Sequence, residues 1–220
     1  MELNVISDKN HINQKHIDNG VIIIDPATAY ISPETRIGAG SIIRPNTTIE
    51  GATEIGTDCT IGPNAILTDT RVGNGVSVLM SVITQSEIDD LSTIGPFAYL
   101  RPGTVLGKNV KVGDFVEIKN SIVGDGTKIS HLTYVGDADV GKGVNFGCGS
   151  VTVNYDGKRK HRTTIEDNAF IGCNTNLIAP VTVSKNAYTA AGSTITSDVP
   201  ENALAIARSR QKDIANWTKP

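Results

Sequence analysis

From Ile31 onward an aliphatic residue returns at every sixth position: Ile37, Ile43, Ile49, Ile55, Ile61 and Leu67. Four residues after each comes a small or slim side chain, as at Thr35, Ser41, Thr47, Thr53, Cys59 and Ala65. The phase slips in a few places. It then resumes through Ile94, Leu100, Leu106, Val112 and Ile118, and again through Ile165, Ile171, Leu177 and Val183. A helix repeats its apolar face at about 3.6 residues and a half-buried strand at two, so a period of six excludes both. Six residues make one short strand and one corner. Corners need dihedrals that Gly, Asn and Asp supply, and Asn74-Gly75, Asp125-Gly126 and Lys142-Gly143 have that chemistry. Stacked coils bury one aliphatic column while each backbone pairs with the coils above and below. The pattern predicts an all-β fold, a parallel β-helix of hexapeptide repeats; nine or so coils at about 4.8 Å make a prism roughly 45 Å long.

Two stretches break the rhythm. Thr84 to Ser92 reads as a short bulging loop, and Thr152 to Thr163 as a longer one carrying Lys158, Arg159, Lys160, His161 and Arg162 in a row. Loops that leave a rigid scaffold often carry function, although a basic run alone is more often a solvated surface. At the ends, Lys9 to Asn19, closed by Gly20 and preceded by Asp8 as N-cap, predicts a short helix. Ser209 to Trp217 predicts another, with Ile214 and Trp217 three apart on one face. Both would cap the open coils. The expected organisation is an N-terminal capping segment over 1–24, the β-helix over 25–200 with its loop at 152–163, and a C-terminal arm over 201–220.

Composition sharpens this picture in three ways. Aromatic residues are 5% of the 220 and glycines number 22, which suits a narrow interior with frequent corners. The net charge of −3 without a long basic or acidic run argues against nucleic acid as the main partner. Three scattered cysteines with no CxxC, a polar start and no long apolar stretch lead to the expectation of a cytoplasmic protein without a membrane span.

Beyond the repeat, the chain carries local sequences that periodicity does not require. They include Gly95-Pro96-Phe97-Ala98-Tyr99-Leu100-Arg101-Pro102-Gly103, Val116-Glu117-Ile118-Lys119, His131-Leu132-Thr133-Tyr134-Val135-Gly136-Asp137, Asn154-Tyr155-Asp156-Gly157 and Glu201-Asn202-Ala203-Leu204-Ala205-Ile206-Ala207-Arg208. In order and spacing they resemble the C-terminal domain of the bifunctional bacterial family that is both N-acetylglucosamine-1-phosphate uridyltransferase and glucosamine-1-phosphate acetyltransferase. Ile12-Asn13-Gln14-Lys15-His16 and Ile24-Asp25-Pro26 are similar to that family's stretch between its two domains. The resemblance implies a left-handed β-helix that moves acetyl from acetyl-CoA to the amine of glucosamine 1-phosphate, on the route to UDP-N-acetylglucosamine. It also implies a homotrimer with active sites between subunits and no metal in the acetyl transfer. The family's Gly-rich nucleotide loop has no counterpart in Met1 to Tyr30, so uridyl transfer is expected to be absent.

The resemblance assigns roles residue by residue. His131 is the base, since imidazole exchanges protons near neutral pH, and Glu117 is the carboxylate that would orient it. Arg101, Lys119, Tyr134, Asn145 and Lys160 match contacts to the sugar phosphate, where the guanidinium fork suits phosphate oxygens. Cys148, Asn154, Tyr155, Cys173, Ala191 and Arg208 match contacts to acetyl-CoA. Cys148 stands where the family commonly has Ala, and Cys173 where it commonly has Ser. No orienting base accompanies Cys173 in the sequence, which argues against a cysteine nucleophile. Phe97, Tyr99, Phe115 and Leu132 are expected to face outward and offer a partner surface. Other readings are a hexapeptide-repeat acyltransferase acting on a different amine or hydroxyl, a zinc carbonic anhydrase, and a scaffold without catalysis. Only His131 and His161 lie within the coils, short of the three ligands that zinc would need.

Overall fold

Three parallel sheets of eleven, ten and nine strands form the sides of a triangular prism in the computed structural model, which describes residues 2–217. The chain visits the three faces in rotation, so strand Ile42–Ile43 of the first face pairs with Ile22–Ile23 before it and Thr60–Ile61 after it. Each hexapeptide supplies one strand whose second residue points inward. Ile43, Ile49, Ile61, Leu67, Leu100, Ile118 and Ile129 are fully buried. The small residue two positions before each aliphatic is also inside, and there its hydroxyl has a use. Ser41 Oγ donates to the Gly56 carbonyl at 2.8 Å and accepts the Cys59 N–H at 3.1 Å. Ser92 and Thr127 do the same between later coils. These hydroxyls thus satisfy corner backbone that the short strands leave unpaired, and their own burial is compensated, whereas Thr47 Oγ1 and Thr163 Oγ1 at the same inward position have no partner among the described residues.

Corners fall at left-handed backbone, held mostly by Asn and Asp, for example Asn46, Asp58, Asn64 and Asn109. At the corner between the first and second faces the pattern changes. Met80, Phe97, Phe115 and Leu132, on four successive coils, take φ of 42, 59, 57 and 42°. A bulky side chain in that region costs roughly 1–2 kcal/mol. Phe97 and Phe115 stack with ring centroids 5.6 Å apart, and Phe97, Phe115 and Leu132 are 54, 60 and 58% exposed.

Three sequence expectations need correction. Thr84 to Ser92 is no bulging loop: Glu87–Ile88 is a third-face strand, paired with Arg71–Val72 and Val105–Leu106. The phase slipped there because this coil is short, Val78 pairing directly with Ile94. The N-terminal helix runs Glu2–Asp18, so Asp8 lies inside it rather than capping it; nothing before Gly20 breaks a helix. The C-terminal helix is absent among the described residues. Ile214 and Trp217 are 65 and 74% exposed, and nine residues with an unpartnered apolar face are too few to hold a helix. The paired strands run from Ile22–Ile23 to Leu204–Ala205.

The N-terminal helix covers the first coil. Asn13 Nδ2 donates to the carbonyls of Pro26 and Ala29, and Lys9 donates to Ala27 while lying over the Tyr30 ring. His16 is buried there, and burial, with a smaller push from Lys15, holds its imidazole below the ordinary value. The unfolded chain then binds the proton first. Its contribution is complete above about pH 6.5 and is lost as pH falls through the folded value. Protection of the helix amides, taken relative to their intrinsic exchange rates, should fall on acidification below that point, and His16→Gln should remove this pH-dependent step.

Candidate active site

One register position explains most of the site. Strand Lys128–His131 pairs with Lys111–Asp114 on one side and Asn145–Phe146 on the other, and Asn145–Phe146 pairs with Phe170–Ile171 and then Tyr188–Thr189. Two residues beyond the inward aliphatic, successive coils therefore place Asp114, His131, Cys148, Cys173 and Ala191 in one column. The column runs along the corner between the first and second faces. The next position is the ridge of Phe97, Phe115 and Leu132, which gives way to Gly149, Asn174 and Gly192. The bulky ridge ends where His131 stands, and small residues continue as a shallow groove. Gly147 and Gly172 let neighbouring coils approach closely beside it, since a Cβ on either would overlap the backbone of the following coil. Arg208 lies against Gly192 at the far end.

His131 Nδ1 lies 2.8 Å from Asp114 Oδ1. The hydrogen bond from His131, with the Asp114 backbone, holds that carboxyl below its ordinary value, so it is an anion that can only accept. Nδ1 is then the donor, and the lone pair sits on Nε2, with the His131 side chain 60% exposed. Glu117, expected to orient the imidazole, does not touch it. Its Oε1 accepts from Arg101 Nη1 at 2.7 Å, and its register partner is Tyr134. The partner of a residue on this prism is its counterpart one coil away, which for His131 is Asp114.

The second face carries the cations. Arg101 follows Tyr99–Leu100, Lys119 closes Glu117–Lys119, and Tyr134 opens Tyr134–Gly136. Gly136 makes room for the Tyr134 side chain: a Cβ there would overlap the ring and its hydroxyl. Gly136→Ala should displace Tyr134 and change the near-ultraviolet circular dichroism of the chain. Unchanged far-ultraviolet circular dichroism would show that folding is intact.

At the far edge of this face Asp137, whose side chain is only 6% exposed, accepts from Asn120 Nδ2 at 2.6 Å, from Asn154 Nδ2, and from Lys119 Nζ at 3.5 Å. Burial pushes its carboxyl up, but the two amides and the Lys119 charge outweigh that and leave it below its ordinary value. Asn154 also lies 3.4 Å from the Tyr134 hydroxyl. Lys160 stands beside Lys119; their contact and the Asp137 charge hold Lys119 above its ordinary value, while Lys119 pushes Lys160 down.

The basic run is pinned in place. Asp156 accepts the N–H groups of Lys158 and Arg159 at 2.7 Å each and bonds His161 Nε2 at 2.7 Å, which pushes its carboxyl down to about 2. Arg162 clamps the loop end through Asp139 and the carbonyls of Ala138 and Asn120. Tyr155 bridges back to Lys160, its hydroxyl donating to Gly157.

Within one chain these residues fall into two groups. The column His131, Cys148, Cys173 and Ala191, with Arg208, lies at the first corner of the second face, and Asn145 lies beside it on the first face. Arg101, Lys119, Tyr134, Asn154, Tyr155 and Lys160 occupy the second face and its far edge. Asp114, Asp137, Asp156 and Arg162 were not singled out from sequence. Asp137, Asp156 and Arg162 stood in stretches already noted there without a role, and Asp114 stands one coil length before His131. Among the described residues no group of three or more His, Cys, Asp or Glu side chains is arranged to hold a metal ion.

Residues 34–69 match the family described as bacterial transferase hexapeptide (six repeats). A bifunctional protein GlmU from Geobacillus sp. is 60% identical over 209 residues, which is 95% of this chain and 46% of that protein. The GlmU of Clostridium beijerinckii is 57% identical over 209 residues with the same coverage. The chain belongs to the bacterial hexapeptide-repeat family. It spans about half the length of the curated relatives it matches. Among solved structures, Arabidopsis UDP-N-acetylglucosamine acyltransferase superposes with a TM-score of 0.58 at 15% identity, covering 86% of this chain and 70% of that one. The Bacteroides fragilis UDP-N-acetylglucosamine acyltransferase gives 0.54 at 24% identity, covering 82% and 70%. Both show the fold, the left-handed parallel β-helix of this hexapeptide-repeat family. No helix among the described residues is long and apolar enough to cross a membrane.

Proposed function

We propose that the chain transfers the acetyl group of acetyl-CoA to the amine of glucosamine 1-phosphate. The observation that carries this reading is the Asp114–His131 pair at the head of a column of small residues, bordering a face lined with cations. GlmU proteins, 57–60% identical over 95% of the chain, support the choice of substrates. The groove of Cys148, Cys173 and Ala191 fits a slender pantetheine arm, and Arg208 at its end supplies charge for nucleotide phosphates. Arg101, Lys119 and Lys160 would hold the sugar phosphate with Tyr134 beside it, and Asn154 would meet the acetyl donor.

His131 Nε2 takes a proton from the attacking amine, and Asp114 stabilises the imidazolium that results. Nitrogen bonds to the thioester carbonyl carbon, the tetrahedral centre collapses, and the C–S bond breaks to release CoA thiol. His131 returns its proton to the departing sulfur. No step is assigned to a metal.

The separation of the two residue groups on one chain points to a further copy. A neighbour can set its cation-lined edge against the His131 corner, and three copies related by rotation close the ring. We therefore read the protein as a homotrimer, working in the cytoplasm where both substrates occur. The exposed ridge of Phe97, Phe115 and Leu132 is the apolar surface available for that contact. Light scattering should give a trimer for the parent chain and a smaller species for Phe115→Asp, with turnover lost in parallel.

Mass spectrometry of the product tests the reaction itself. Incubation with both substrates should yield N-acetylglucosamine 1-phosphate and free CoA. Turnover with another amino sugar, and none with glucosamine 1-phosphate, would replace the acceptor named here. Absence of any acetylated product would overturn the reading.

A further inference from the structure

We propose that Cys148 and Cys173 form a dithiol modification site, closed to an intramolecular disulfide by low-molecular-weight disulfides. They hold the same register position on neighbouring coils, two residues past the paired strands Asn145–Phe146 and Phe170–Ile171. The Asn174 N–H donates to the Cys148 carbonyl at 2.8 Å, which ties the two segments together at the cysteines themselves. Neighbouring strands lie about 4.8 Å apart. Disulfides span Cα separations of about 4.4–6.8 Å, and the coil spacing lies within that range. The cysteines are far apart in sequence because the 154–162 loop leaves and re-enters the prism between them.

Access is as favourable as spacing. Both cysteines are exposed, and their neighbours Gly147, Gly149 and Gly172 have no side chain to screen them. Cys59 is the internal control. It is buried, its Sγ lies 3.1 Å from the Gly73 carbonyl, and burial pushes its thiol up, all of which oppose reaction.

The exchange balances in two steps. One cysteine sulfur attacks a sulfur of the small disulfide, forming a mixed disulfide and releasing one small thiol. The second cysteine attacks that mixed disulfide on the protein sulfur and releases the other small thiol. Two S–H bonds are lost and one S–S bond forms, and the two electrons reduce the small disulfide to two thiols. The effect on activity rests on the function proposed above: the bridge lies across the groove assigned to the pantetheine arm, so oxidation blocks the donor.

The full chain is treated with oxidised glutathione, quenched in acid, alkylated after denaturation and digested for mass spectrometry. The expected product is one peptide pair joined through Cys148 and Cys173, with Cys59 alkylated and the parent mass lower by two hydrogens. Cys148→Ser and Cys173→Ser should each stop at one glutathione on the remaining cysteine. Dithiothreitol should reverse both states. Stable glutathione on both cysteines of the parent, a crosslink between two chains, or full alkylation of both would each overturn the dithiol site. Acetyl transfer is followed on the same samples, and turnover should fall on oxidation and return with dithiothreitol. If the reduced chain shows no turnover while the crosslink forms, the proposed function fails and the dithiol site stands.

Discussion

Replacing His131 by alanine is expected to lower the rate of acetyl transfer by about 10²–10⁴-fold, the usual contribution of a positioned general base. The effect should fall on kcat, because the imidazole acts on the amine proton only as the new bond forms. The side chain projects from the corner, 60% exposed, and its one hydrogen bond in the structure is to Asp114, so thermal stability should hardly change. Asp114→Asn is the informative companion. It keeps the shape but removes the anion that makes Nδ1 the donor, and it should give a smaller loss with the same kcat character. Product formation by His131→Ala at the parental rate would remove this residue from the chemistry. An unaltered rate in Asp114→Asn would restrict the pair to a structural contact.

The second large effect is expected at Asp137. Its carboxylate is nearly enclosed and accepts from Asn120, Asn154 and Lys119 together. Asp137→Ala leaves two amides and an ammonium without their acceptor, at a loss on the order of 3 kcal/mol. The denaturant midpoint should fall accordingly, with the slope unchanged. Function should suffer twice, since the same carboxylate positions Lys119 on the proposed acceptor side and Asn154 on the donor side. Both KM values should therefore rise. The pH dependence has a definite sign. The folded carboxyl sits below its ordinary value, so its contribution is complete above about pH 3.9 and is lost as pH falls through the folded value. Asp137→Ala should flatten that acid limb, and a variant with parental stability and both KM values unchanged would contradict the role.

The fold was legible because each level of the sequence repeats the same message. Aliphatic residues at every sixth position, slim hydroxyl residues two places before them and Asn or Asp at the corners all describe one coil. The errors have specific causes. A short coil between Val78 and Ile94 shifted the phase and looked like a loop. The Ile214 and Trp217 pair looked like an apolar helix face, but one chain offers nothing for it to cover. At the site, residue types and motif order pointed to His131, Arg101, Lys119 and the small residues of the groove. Pairing was the harder part. Glu117 is nearer to His131 in sequence, yet the coil register sets Asp114 opposite it. Asp137 stood at the end of the motif that begins at His131, with no role assigned; its importance comes from burial at a corner and three converging donors.

The column from Asp114 to Ala191 also behaves as a ruler. Each residue on it is separated from the next by one coil, so distances along the site change only in steps of about 4.8 Å. A prism of this kind cannot tune its chemistry by sliding a side chain slightly along the axis. It changes what is measured by choosing which coil bears the base and which bear the small residues. Moving the imidazole one mark along, with His131→Ser and Cys148→His together, would shorten the reach to the far end of the groove by one coil spacing.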